Sequence, residues 1–222
     1  MSRSIVTRLV LKDLYLLRWV IVGATVAGCA ALAVMPLGRM AGYVGGVSLI
    51  CALIVLNIYL VMNGVVQERK DKVLLFVLSL PVSTTQYLAA KVTANALAFL
   101  LPWLILTAGA AVVIDATAMP NGILPFWLTV LVYLLIYYCA LLAVSLVTDS
   151  MGWHATAITL GNVFVNFFIV FLLGLPSVVA NHDAPTAVWT ADIVTILAIE
   201  LAAGAAALGL AFYFASRRSD FV

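Results

Sequence analysis

Few side chains in this sequence could do chemistry, and most of those sit in apolar surroundings. Glu200 is the most informative, because it alone interrupts the apolar stretch from Asp192 to Ser216. A carboxylate inside such a segment is costly in lipid unless it is paired, protonated or wet, and it is functional by default. Glu200 could meet a substrate or a proton in a cavity. It could equally be held by a Thr or Asn of a neighbouring helix. Thr159, Asn162 and Asn166 recur at i, i+3 and i+7, so they share one helix face and could line a polar path or bond a second helix. Phe126, Tyr133 and Tyr137 form a similar stripe, suited to an amphipathic substrate or to plain aromatic packing. His154 with Asp149 suggests a proton relay, but a histidine in a loop at a membrane surface is more often simply solvated. His182 with Asp183 lacks the third ligand that a metal site needs. No H-E-x-x-H, G-x-S-x-G, C-x-x-C or G-x-x-x-x-G-K-[ST] is present, so the sequence offers no catalytic constellation, no metal centre and no nucleotide cradle of its own. Cys29, Cys51 and Cys139 fall inside apolar runs and read as small core residues.

These residues must be positioned by elements that live in lipid. Of 222 residues, 66% are hydrophobic and 9% charged, against ~25% charged in a soluble domain. With a mean hydropathy of +1.22, too little polar surface exists to cover a water-facing sphere. Unbroken apolar runs exclude the alternating segments of a transmembrane barrel. The expected fold is an all-α membrane bundle forming a single domain. Its six spans run from Trp19 to Gly38, Gly42 to Val66, Val92 to Ile114, Ile123 to Thr148, Ser150 to His182 and Asp192 to Ser216. Residues 1–18 carry Arg8, Lys12 and Tyr15 on one stripe and read as an amphipathic helix in the interface, from which Asp13 and Arg18 deviate. No cleavable leader is expected there, and residues 217–222 form a short tail. The apolar window from Val73 to Ala90 contains Pro81 and the polar run Ser83 to Gln86, so it is expected at the interface rather than across it.

Charge placement fixes the orientation. With the amino terminus inside, ten of the eleven basic residues face the cytoplasm and only Arg39 lies outside, as the positive-inside bias requires. Both termini are then cytoplasmic. Basic side chains confined to span ends also give no nucleic-acid surface. Trp19, Trp127, Trp153 and Trp189 fall near span ends, where an indole favours the headgroup layer. Gly42 with Gly46, and the Ala/Gly-rich run from Ala202 to Gly209, permit close helix approach within or between subunits.

The most specific segment is Gln67-Glu68-Arg69-Lys70-Asp71-Lys72, followed by Leu78-Ser79-Leu80-Pro81-Val82-Ser83 and then Ala90-Lys91. On physical grounds it is a charged cytoplasmic turn, a short apolar helix and a polar corner. It could dock a soluble partner or merely anchor topology. The pattern E-R-K-x-K, L-S-L-P-V-S and A-K resembles the first cytoplasmic loop of ABC-2 type permeases, the membrane subunits of ATP-binding-cassette exporters. Leu11-Lys12-Asp13-Leu14-Tyr15 is similar to their connecting helix. The resemblance is global in layout and confined to about 35 positions in identity. It implies a coupling helix between spans two and three, with Glu68, Arg69, Lys70, Asp71, Lys72, Leu78, Pro81 and Ser83 on the surface that contacts the ATPase. It also implies ATP-binding-cassette ATPase subunits holding ATP and Mg, a second permease, identical or related, and a bacterial cytoplasmic membrane. This chain itself would bind no cofactor. A partly re-entrant outer segment is implied as well, for which Gly174-Leu175-Pro176 and the stretch to Trp189 fit. Glu200, Asn162, Asn166, Thr159, Tyr133 and Tyr137 are the candidates for the translocation path. The alternative is a proton-coupled secondary transporter using Glu200, though the two halves show no convincing internal repeat.

Overall fold

A computed structural model of the chain describes residues 2–63, 84–148 and 150–217. Among them the structure is entirely helical. It consists of α1 (Ser2–Val34), a 3-10 corner (Met35–Leu37), α2 (Arg39–Val61), α3 (Thr84–Ala116) and a second 3-10 corner (Asn121–Ile123). These are followed by α4 (Leu124–Val147), α5 (Met151–Gly174), the short α6 (Pro176–Asn181) and α7 (Ala191–Arg217). Six of these helices, all but α6, are long and apolar enough to cross a membrane. A helix is the only open segment whose backbone groups are all satisfied without water, which is why apolar runs of this length adopt it. The segment carrying Glu68, Arg69, Lys70, Asp71, Lys72, Leu78, Pro81 and Ser83 lies outside the described residues, as does Asp149.

Proline and glycine set the boundaries. Pro36 sits in the corner after α1, and Gly38 turns the chain at φ 139°, a backbone region that side chains disfavour. Pro125 and Pro176 occupy the first turns of α4 and α6, where the missing N–H costs nothing. Pro102 lies inside α3, and the adjacent Trp103 indole donates a 2.7 Å hydrogen bond to the Leu131 carbonyl of α4. Thr25, Thr117, Thr129 and Thr195 turn their hydroxyls back onto carbonyls four residues earlier, which hides these polar groups from lipid.

Several boundaries differ from the sequence expectation. Residues 2–18 do not form a separate helix: α1 continues through Trp19 without a break, since no Gly or Pro precedes Gly23. The polar residues Thr84, Thr85 and Gln86 form the first turn of α3, eight residues before the expected start at Val92. The fifth span closes at Gly174, because Leu175-Pro176 redirects the chain into α6.

The packing places α4 at the centre, against α2, α3, α5 and α7, while α1 packs on α2 and α3. Leu49, Leu53, Leu106, Leu131, Leu134 and Leu172 form the outer half of the core. Leu56, Leu60, Phe99, Tyr138 and Leu142 form the inner half, where the Phe99 and Tyr138 rings stack at 4.2 Å. Trp127 is not a headgroup anchor. Its ring is buried against Gly46, so that glycine of the Gly42/Gly46 pair serves contact within the chain. Trp19, Trp153 and Trp189 are exposed, as an interfacial position requires.

At the outer end the 3-10 corner meets the segment after α6. Gly122 donates a 2.9 Å backbone hydrogen bond to Ala184, and a Cβ at this position would overlap the Asn181 carbonyl oxygen. Because the obstacle is backbone, Gly122→Ala is expected to destabilise the protein by about 1–3 kcal/mol. Faster proteolysis within residues 175–190, alongside a lowered unfolding temperature in detergent, is the outcome to measure.

Candidate functional site

Three of the six candidate path residues, Glu200, Tyr133 and Tyr137, lie on α4 or on α7 packed against it. Tyr133 and Glu200 each lie nine residues past the start of their helices, α4 and α7, which run in the same direction from the outer side. At ~1.5 Å per residue both are near mid-membrane. The helices that carry them, α4 and α7, pack against each other. Gly204, one turn deeper on α7, lets the helices close, since a Cβ there would overlap the Ile136 side chain of α4.

Glu200 is buried, and neither carboxyl oxygen has a hydrogen-bond partner among the described residues. Among the described residues no Thr or Asn bonds the carboxyl. A buried polar group left without partners works against stability.

The Tyr133 ring stacks on Phe168 of α5 at 4.6 Å. Tyr137 donates a 3.0 Å hydrogen bond to the Ile158 carbonyl, and its ring fills the notch at Gly161. Both tyrosines therefore pack α5 onto α4. Phe126 of the same stripe is buried edge-on against Trp127.

Thr159, Asn162 and Asn166 share a face of α5, but it is not the face toward α4. Thr159 and Asn166 are exposed and Asn162 half-buried. The Asn166 amide donates at 2.9 Å to the Asn162 carbonyl of its own helix. The structure thus separates the candidates into two groups: Glu200, Tyr133 and Tyr137 inside the chain, and a polar face of α5 on its outside. A polar face at this depth is costly against lipid alone, so it fits contact with protein or water.

The histidines are structural or solvated. His154 is buried, contrary to the solvated position expected of it, and its Nδ1 donates at 2.7 Å to the Ser150 carbonyl in the first turn of α5. His182 is partly exposed and pairs with its neighbour Asp183 at 2.9 Å. Among the described residues no group of three or more His, Cys, Asp or Glu could hold a metal.

One feature escaped the sequence reading. Asp13 of α1 and Lys91 of α3 form a buried ion pair at 3.0 Å, while the second Asp13 oxygen faces Lys12 at 3.6 Å. Asp13 departs from the amphipathic stripe for this reason: it points into the bundle. An acidic residue out of pattern in a basic segment was the available signal, but its partner is 78 residues away.

No curated protein and no solved structure gives a match to the chain. A family profile described as "ABC-2 family transporter protein" matches residues 35–202, well over half of the sequence. The matched region begins at the corner after α1 and takes in α2 to α5, α6 and α7 as far as the Glu200 turn. Six apolar crossings among the described residues agree with this match, and the chain belongs to the ABC-2 family of membrane transporter proteins.

Proposed function

We propose that this chain is the permease subunit of an ATP-driven exporter in a bacterial cytoplasmic membrane, forming a translocation path with a second permease. ATP and Mg are held by separate ATP-binding-cassette subunits on the cytoplasmic face. The observation that carries this reading is the outward polar face of α5. Thr159, Asn162 and Asn166 are set at membrane depth on a helix that packs substantially only on α4 and α6. A second permease opposite this face would enclose a polar route and satisfy the amides. Family membership supports the assembly.

In this mechanism closure of the ATPases acts on the segment containing Glu68, Arg69, Lys70, Asp71, Lys72, Leu78, Pro81 and Ser83. That segment leads directly into α3. Motion of α3 shifts its neighbours α1 and α4, and through α4 the helices bearing Glu200 and the polar face. Both termini, with Arg3, Arg8, Arg217 and Arg218, lie on the ATPase side.

The test is co-expression with an ATPase encoded beside this gene, followed by purification and reconstitution into vesicles. The expected result is a stable complex with ATP-dependent export. Asn162→Leu with Asn166→Leu is expected to insert normally and to reduce ATP-dependent transport by on the order of tenfold, the loss of about 1.4 kcal/mol. Transport by the chain without any ATPase would overturn the reading.

A further inference from the structure

The outer halves of α1 and α3 already interlock through apolar contact. A Cβ at Gly28 would overlap Leu106, and Leu32 is in contact range of a Cβ at Gly109. Inner-half packing could be completed the same way, with aliphatic side chains. Instead Asp13 and Lys91 are both buried there and joined at 3.0 Å. A buried ion pair is a weak source of stability, because desolvating both groups offsets their attraction, and apolar residues of equal size often serve as well. What an ion pair supplies and apolar packing does not is a unique register. Sliding one helix by a turn leaves leucines in contact but separates the charges.

The position gives this register a use. Lys91 is seven residues, about two turns, past Thr84, where α3 begins. Any displacement entering α3 from its cytoplasmic end reaches Lys91 before it reaches the core. We infer that the Asp13–Lys91 pair is a register lock that makes α1 follow α3 when the cytoplasmic end of α3 is displaced. Asp13 and Lys91 are thus positioning residues for transport, an assignment that rests on the exporter reading for its functional half.

Two variants separate register from packing. Asp13→Leu with Lys91→Met keeps volume and removes the charges, while Asp13→Lys with Lys91→Asp restores the pair in reverse. Spin labels go on Leu16 of α1 and Leu97 of α3, both exposed, in a chain with Cys29, Cys51 and Cys139 replaced by Ala. Double electron–electron resonance then reads the distance between the helices in lipid nanodiscs. The native pair and the reversed pair are expected to give one narrow distance, and the apolar pair a broadened or divided distribution. In the complex with the ATPase, the apolar pair is expected to bind the ATPase normally and to lose at least about fivefold in transport per ATP hydrolysed, with recovery in the reversed pair. A single unchanged distance in the apolar variant overturns the lock. Unchanged transport per ATP in that variant overturns its role in transmission. A wild-type chain that neither binds an ATPase nor exports overturns the exporter reading instead, and leaves the distance measurement to decide the lock.

Discussion

Lys91→Met is expected to lower the stability of the bundle by about 3–5 kcal/mol, the usual result of removing one partner from a buried ion pair. The methionine fills the space of the lysine stem, and Asp13 stays buried between α1 and α3 without the Lys91 ammonium that faced it at 3.0 Å. Lys12 faces the other carboxyl oxygen at 3.6 Å, but its side chain is exposed and its charge is shared with water. Thermal unfolding in a mild detergent checks the prediction, together with the yield of monodisperse protein. Adding Asp13→Leu to the same chain is expected to recover most of the loss, since an apolar pair of similar volume has no charge to desolvate. A single variant as stable as wild type would show that Asp13 reaches water or another cation.

Glu200→Leu is expected to act in opposite directions on stability and on transport. The carboxyl is buried on α7, which packs on α4, with neither oxygen hydrogen-bonded among the described residues, and such a group costs about 1–3 kcal/mol. Leucine removes that cost, so the unfolding temperature is expected to rise. Export is expected to fall by on the order of tenfold, as when a site that works against stability is replaced. Lower stability of Glu200→Leu would mean that the carboxyl is a structural bond rather than a working group. Glu200→Gln, assayed under an imposed proton gradient with and without ATP, adds a second discrimination. Gradient-driven transport that disappears in this variant would favour proton coupling over an ATPase.

The fold was legible to the extent that the bilayer itself dictates it. Lipid demands about 20 apolar residues per helical crossing, and charged or polar residues separate the apolar runs, so the six crossings among the described residues and most of their boundaries follow. The exceptions are instructive. Thr84, Thr85 and Gln86 look like a corner by composition, yet they continue α3, because polar residues at a helix end can be wetted by the interface. Residues 2–18 look like a separate interfacial helix, yet they are the first half of α1, because amphipathicity does not by itself break a helix.

By itself the sequence determined that this chain lives in lipid and which polar residues lie within its apolar spans. Tertiary structure decided the direction in which those residues point. Periodicity puts Thr159, Asn162 and Asn166 on one face but says nothing of what that face meets, and the bundle leaves it outward. Trp127 near a span end is turned inward by the notch at Gly46. Asp13 and Lys91 meet only because α1 and α3 are neighbours. In a soluble protein the apolar stripe of a helix shows which side is buried. Here lipid and core are both apolar, so the pattern carries no such mark, and only the packing of helix against helix tells the inside from the outside.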